Sequence, residues 1–172
     1  MQRSSSVFIC TVREKLEPRA SAIKAQSKAT VTPGSRVSIN EMMIRQTGRS
    51  VHTYLVHNKP VPVGFKVHTL CKAGYCYTWM LDSLLLEAPA APDQADVELS
   101  DTAKQVVKLA LELPWHSYPN GYCVFLDNAY TSIWLFYILQ KYGIACCGTT
   151  RAGQKDCLAA HRGIQRVKEK WA

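Results

Sequence analysis

The stretch that decides the fold is residues 121–149, which read GYCVFLDNAYTSIWLFYILQKYGIACCGT. The run up to Leu126 is almost wholly apolar, as is typical of a strand that is buried on both faces. Ser132 can cap a helix over residues 133–142, and Gly143 supplies its stop signal. Residues 144–149 form a second apolar run and predict another buried strand. This stretch therefore predicts a strand, a helix and a strand in an α/β fold.

The chain upstream of this stretch predicts three further strands, two of them in a hairpin. Residues 36–43 are strand-like, and residues 64–70 alternate in the way of a half-buried strand. A tight turn at residues 72–75 leads into residues 75–81, which are dense in aromatic and β-favouring residues. We therefore expect residues 64–70 and 75–81 to pair antiparallel.

The remaining segments predict one more helix between irregular stretches. Residues 86–96 are rich in Pro and Ala and predict a loop. Asp101 is the expected N-cap of an amphipathic helix over residues 102–113, which Pro114 ends. A last short helix is predicted over residues 164–171.

The net charge of +8 is concentrated at the two ends of the chain. Residues 1–35 hold six Lys/Arg and two acidic residues, and residues 151–172 hold the same numbers, so each end carries +4. Residues 36–150 are neutral in sum. Basic arms of this kind can bind nucleic-acid phosphates without reading sequence, although solvated tails have the same composition.

The seven cysteines favour reduced thiols rather than a disulfide framework or a zinc module. Their number is odd, no secretory signal precedes them, and their spacings do not repeat as those of structural zinc sites do. No window of the sequence is apolar enough for a membrane span. These features predict a nuclear or cytoplasmic protein that is not secreted and has no membrane partner.

Several collinear sequence blocks resemble the catalytic core of the piggyBac transposase family, and its fungal-type members most closely. The resemblance covers residues 36–152 and implies an incomplete ribonuclease-H-like core of the DDE transposase and integrase kind, a mixed sheet with flanking helices. Residues 1–35 are then a basic, poorly ordered segment with room for one short helix, and residues 153–172 are a basic C-terminal segment. The blocks are Asn40-Glu41 with Gly48-Arg49-Ser50, Asn58-Lys59-Pro60, Gly64-Phe65-Lys66-Val67, Gly74-Tyr75, Leu126-Asp127-Asn128 with Thr131-Ser132-Ile133, and Gly143-Ile144 with Gly148-Thr149-Thr150-Arg151.

The resemblance assigns catalytic positions residue by residue. In the family, three aspartates hold two Mg²⁺ ions that promote an in-line phosphoryl displacement. Asp127 corresponds to the second aspartate and is the ancestral metal ligand. Asn40 stands where the family has the first, and the adjacent Glu41 is expected to point to the opposite face of the sheet. No residue matches the third aspartate, since Asp156 falls too early and Glu169 lacks the family's surroundings.

Four basic residues within or beside the matched blocks are candidate DNA contacts, with surface charge as the alternative. They are Arg49, Lys59, Lys66 and Arg151. The five histidines show no metal spacing and are expected to be ordinary surface or half-buried residues. Because the family core continues beyond the last predicted strand, we also expect one face of the sheet to expose an apolar patch.

The function expected on this resemblance is that of a transposase-derived remnant without catalytic activity and without a cofactor of its own. DNA is a possible partner, bound weakly and without sequence preference, and so is a full-length transposase. The alternative is a non-enzymatic nucleic-acid-binding protein that uses its basic ends. A third hypothesis, an active nuclease, would need Asn40 and Glu41 as ligands together with another carboxylate.

Overall fold

The computed structural model describes residues 12–48, 50, 52–57, 59–82 and 99–151. The predicted loop over residues 86–96 and the predicted helix over residues 164–171 lie outside them. The elements in chain order are helix α1 (Val12–Thr30), strands β1 (Arg36–Arg45), β2 (Tyr54–Leu55), β3 (Val63–Lys72) and β4 (Tyr75–Leu81), helix α2 (Asp101–Ala110), a 3₁₀ turn (Trp115–Ser117), strand β5 (Cys123–Leu126), helix α3 (Ile133–Lys141) and strand β6 (Ala145–Gly148).

The six strands form one mixed sheet in the order β2-β3-β1-β5-β6, and β4 also pairs with β3. The β1–β3 and β3–β4 pairs are antiparallel, whereas β1–β5 and β5–β6 are parallel. This confirms the predicted hairpin and the predicted mixed α/β sheet. Within the described ranges, no helix is both long and apolar enough to cross a membrane.

Helices α2 and α3 pack against one face of the sheet and form the core with it. Val37 and Ile39 of β1, Val106 and Val107 of α2, and Leu135 and Leu139 of α3 are all buried in one cluster. Burial of an aliphatic side chain contributes roughly 1.5–3 kcal/mol, so this layer is the main source of stability in the described fold.

Two helix caps explain where α2 and α3 begin. Ser132 Oγ accepts a hydrogen bond from the Leu135 amide at 3.1 Å, as predicted. For α2 the predicted cap, Asp101, is wrong, because Ser100 Oγ accepts from the Ala103 amide at 3.3 Å and Asp101 is the first helical residue. Gly143 has φ +71° and ends α3 as predicted, because the left-handed region is easily adopted only by glycine.

Helix α1 is the largest departure from the predicted fold. Nineteen residues are helical where the sequence predicts a poorly ordered segment with at most one short helix. The helix packs on β4 through the buried Ala20, and Lys24 Nζ lies 4.9 Å from the centre of the Trp79 ring. Lys28 also pairs with Glu112 at 2.9 Å. These tertiary contacts stabilise a helix that its own apolar pattern does not indicate.

The other face of the sheet is open in the described part of the chain. Met42, Ile44 and Phe125 are 45%, 43% and 40% exposed, and Cys147 is exposed as well. The prediction that β5 and β6 are buried on both faces is therefore wrong, because α2 and α3 cover only one face. The exposed apolar patch predicted for this sheet is present here.

Candidate active site

Strand register places Asn40 and Asp127 side by side. In the parallel β1–β5 pair, Ile39 is opposite Leu126. Asn40, in the middle of β1, therefore lies next to Asp127, which directly follows the last residue of β5. They share a cleft of about 280 Å³ on the open face, lined by residues 38–40, 125–127 and 147–149. The two positions matched to catalytic aspartates are therefore neighbours.

The Asp127 side chain is exposed and is oriented by neighbouring donors. Its Oδ1 accepts a hydrogen bond from the main-chain amide of Asn128 at 2.7 Å and another from Thr149 Oγ1 at 3.2 Å. Its main-chain carbonyl accepts from the Tyr130 amide at 3.0 Å and from Thr131 Oγ1 at 3.0 Å. The carboxylate thus stands at a fixed place where the strand ends and a turn begins.

Arg151 reaches this site through Asn128. The side-chain amide of Asn128 forms a hydrogen bond with each of two neighbours. Its nitrogen donates to Asp127 Oδ1 at 3.2 Å, and its oxygen accepts from Arg151 Nε at 2.7 Å. Of the four predicted DNA-contacting residues, Arg151 is the one that this arrangement brings to the Asp127 carboxylate. Arg49 lies outside the described residues.

Asn40 presents a neutral amide at the cleft. Its Oδ1 accepts a hydrogen bond from the Glu41 amide at 2.8 Å, and its main-chain oxygen accepts from Thr69 Oγ1 at 3.1 Å. The side chain is exposed. An amide oxygen carries no net charge, so Asn40 and Asp127 together supply one carboxylate where the family pattern has two.

Glu41, Lys59 and Lys66 belong to an ion-pair cluster. The Glu41 carboxylate lies 3.1 Å from Lys59 Nζ and 3.7 Å from Lys66 Nζ. Lys66 Nζ is also 3.3 Å from Asp82 Oδ2. By strand alternation, Glu41 shares a face with Ile39 rather than with Asn40. The geometry therefore places these two predicted DNA-contacting lysines in ion pairs with internal carboxylates.

A buried polar chain continues this cluster and was missed by the sequence reasoning. His68 is fully buried and His52 is buried as well, so the expectation of surface or half-buried histidines is wrong at these two positions. The Nδ1 atom of His68 lies 2.7 Å from the Tyr130 hydroxyl, and its Nε2 lies 3.3 Å from Asp82 Oδ2. The sequence contained one signal for this burial. His68 is two residues from the core residue Leu70, and in a strand such residues point to the same face of the sheet.

The pKa values of two members follow from this environment. Burial alone would raise the pKa of Asp82, but hydrogen bonds and positive charge from His68, Gln105 and Lys66 outweigh it and hold that pKa well below its usual range. Burial raises the pKa of Tyr130, and the nearby carboxylates of Glu41, Asp82 and Asp127 raise it further. Tyr130 is therefore a neutral hydroxyl beside the site.

The donor set does not fit a pair of divalent cations. Mg²⁺ requires hard, anionic oxygen ligands, and two ions need carboxylates that bridge them. Of the described residues that line the cleft, Asp127 alone carries a carboxylate, and its Oδ1 already accepts from the Asn128 main-chain amide, the Asn128 side chain and Thr149. Among the residues described, no three His, Cys, Asp or Glu side chains are grouped closely enough to hold a metal ion.

Comparison with known proteins agrees with the fold. The chain is similar to a piggyBac transposase determined as a synaptic complex with hairpin DNA, with a TM-score of 0.64 and 21% sequence identity. The match covers 81% of this chain and 28% of that one, so this chain spans less than a third of that transposase.

The sequence also matches a family profile. The family described as transposase IS4 matches residues 13–168, a range that takes in helix α1 and is wider than the resemblance over residues 36–152. The chain therefore belongs to the transposase IS4 family, and its mixed sheet has the ribonuclease-H-like fold of the piggyBac transposase.

Proposed function

We propose that this chain is a transposase-derived protein that neither cleaves nor joins DNA. The observation that carries the proposal is the neutral Asn40 of β1 beside Asp127, which follows the adjacent parallel strand β5. Glu41 does not compensate, because its carboxylate is bound to Lys59 and Lys66.

The size of the expected effect follows from the chemistry of two-metal sites. Bound cations supply several kcal/mol of transition-state stabilisation to phosphoryl transfer. Each 1.36 kcal/mol of barrier corresponds to a factor of ten in rate. A cleft that has one carboxylate in place of two is therefore expected to lose strand cleavage by orders of magnitude.

A plasmid-nicking assay tests the proposal. The wild-type chain and Asp127→Ala are incubated with supercoiled DNA in Mg²⁺ or Mn²⁺, with chelator as a blank and circular dichroism as a check of folding. We expect the two proteins to give the same background. Metal-dependent nicking by the wild type that disappears in Asp127→Ala would overturn the proposal and favour an active nuclease.

A second function, DNA association without catalysis, is favoured by the distribution of charge. Residues 1–35 and 151–172 each carry +4, while the region between them is neutral. Lys59 and Lys66 add little free positive charge, because Glu41 and Asp82 neutralise them. Binding would then come from phosphate contacts of the basic ends and would carry no sequence preference.

A salt titration separates this function from simple solvated tails. Fluorescence anisotropy of a labelled DNA duplex measures the affinity, and the logarithm of the binding constant should fall linearly with the logarithm of the salt concentration. Replacing both Lys168 and Lys170 by Gln should reduce the slope by about two, since each phosphate contact contributes roughly 0.9. Lys59→Gln is the matched control and should leave the slope unchanged. Absent or salt-independent binding would reject the function.

A further inference from the structure

Two cysteines face each other across the β3–β4 hairpin. Cys71 is the register partner of Cys76, and the next pair, Lys72 with Tyr75, closes the turn. The two turn residues, Ala73 and Gly74, have φ +47° and +85°, as a tight two-residue hairpin turn requires. The opposition of the two thiols is therefore fixed by the turn.

The spacing of such a pair matches that of a disulfide. Directly opposed residues in antiparallel strands have Cα atoms about 4.5–5.5 Å apart. Disulfides join residues whose Cα atoms are about 4.4–6.8 Å apart, a range that includes this spacing. Both side chains are free thiols and are half-buried, which leaves them accessible to a small oxidant.

The Cys76 thiol also favours ionisation of Cys71. The neighbouring Cys76 thiol lowers the pKa of Cys71, against the effect of burial and with a smaller contribution from Thr69. The Cys76 thiol itself donates to the Thr78 carbonyl at 3.6 Å. The interaction with Cys71 raises the pKa of Cys76, as burial does. Cys71 is thus the thiol that ionises first, and the thiolate is the reactive form.

We propose that Cys71 and Cys76 form a reversible disulfide when the protein meets a peroxide. The Cys71 thiolate attacks one oxygen of the peroxide, which forms an S–O bond, breaks the O–O bond and releases hydroxide. Cys76 then attacks the sulfenic sulfur, which forms the S–S bond, breaks the S–O bond and releases water. Two thiols are oxidised and one hydrogen peroxide is reduced to two waters.

The other described cysteines lack this arrangement. Cys123, Cys146 and Cys147 lie on the parallel strands β5 and β6, where their register partners are Ala145, Val124 and Phe125. Cys147 is exposed but is opposite an aromatic ring rather than a thiol. Cys147 is therefore the matched control, because it is accessible but has no cysteine opposite it with which to form a disulfide.

Trypsin mapping tests the proposal directly, because Lys72 lies between the two cysteines. Cleavage gives the peptide of residues 67–72 with Cys71 and the peptide of residues 73–104 with Cys76, each with a single cysteine. The full-length chain is treated with hydrogen peroxide, alkylated and digested. We expect one cross-linked species of the two peptides that disappears on reduction. Recovery of both peptides alkylated, or of each joined to another cysteine, would overturn the proposal.

Variants separate the two chemical steps. In Cys76→Ser, Cys71 should be trapped as a sulfenic acid that reacts with dimedone, whereas Cys147→Ser should give the same cross-link as the wild type. Failure of Cys71 to react with dimedone in Cys76→Ser would contradict its role as the first nucleophile. The wild-type peptide map decides the existence of the bridge even where a variant folds poorly.

Discussion

The hydroxyl of Tyr130 lies 2.7 Å from Nδ1 of the fully buried His68, and this contact joins the turn after Asp127 to the middle of strand β3. Their rings meet edge to face with centres 5.6 Å apart. Because the Tyr130 amide also donates to the Asp127 carbonyl, the tyrosine connects the candidate site to the sheet at two points. The pair supports the turn that carries Asp127.

Tyr130→Phe should lower the free energy of unfolding by about 1–3 kcal/mol, because it leaves Nδ1 of a buried histidine without its hydroxyl partner. Urea denaturation measures the change. Tyr137→Phe is the control, since that ring is 47% exposed, and it should change stability by less than about 0.5 kcal/mol. Equal effects of the two substitutions would show that the His68 contact contributes nothing measurable.

The sequence predicts those elements whose signals are local. Ser132 and Gly143 mark the two ends of α3, and the turn around Gly74 fixes the β3–β4 hairpin. The position of Asn40 beside Asp127 also follows, once the matched blocks are combined with the topology of the fold they resemble. For α3 and the hairpin a few neighbouring residues carry the whole signal, whereas the placement of Asn40 needs the topology as well.

The elements that the sequence did not predict depend on distant contacts. Helix α1 is held by Lys24 against Trp79 and by Lys28 against Glu112, and its own apolar pattern is weak. His68 and Tyr130 are 62 residues apart and meet only because the strands assemble. The exposure of Phe125 reflects which sheet face the helices cover, and no pattern within a four-residue strand determines that.

Asn40→Asp should make the stability of the protein depend on divalent metal. The variant sets a second carboxylate beside Asp127, so that like charges destabilise the cleft until a cation binds between them. Mn²⁺ at about 100 times its dissociation constant should stabilise the variant by about 2.7 kcal/mol, a shift of a few degrees in Tm. Calorimetry and thermal melts of variant and wild type measure this difference.

The control for this experiment restores a single carboxylate. Asn40→Asp combined with Asp127→Asn keeps the wild-type charge of the cleft but exchanges the two positions, and it should lose the metal response. A wild-type chain that responds to Mn²⁺ as strongly as Asn40→Asp would contradict the claim that the amide weakens the site. An unresponsive Asn40→Asp would show that further ligands are required.

Stability should fall at acid pH in a way that depends on Asp82. The pKa of Asp82 is depressed in the folded protein. The contribution of Asp82 to stability is therefore fully present at a pH above the pKa of about 3.9 that it has in the unfolded chain, and it is lost as the pH falls through the pKa of the folded state. Asp82→Asn should therefore be less stable than the wild type at pH 7 and should show a shallower decline below about pH 4.

Urea denaturation at several pH values between about 2 and 7 measures this effect, because the range lies on both sides of the carboxyl pKa. Asp101→Asn is the matched control, because the Asp101 side chain is 79% exposed, and it should keep the wild-type pH dependence. An Asp82→Asn variant with an unchanged acid limb would mean that the His68 and Lys66 contacts do not stabilise the folded carboxylate.

Two glycines with the same backbone conformation should respond differently to alanine. Gly121 has φ +82° and Gly74 has φ +85°, so alanine at either position is strained by about 1–2 kcal/mol. A Cβ at Gly121 would also lie 2.7 Å from the Gly143 carbonyl oxygen, whereas a Cβ at Gly74 meets nothing within 4 Å. Gly121→Ala should therefore cost clearly more than Gly74→Ala, roughly 3 kcal/mol against 1. Chemical denaturation of both variants measures the difference, and equal losses would show that the chain entering β5 moves away from Gly143 without cost.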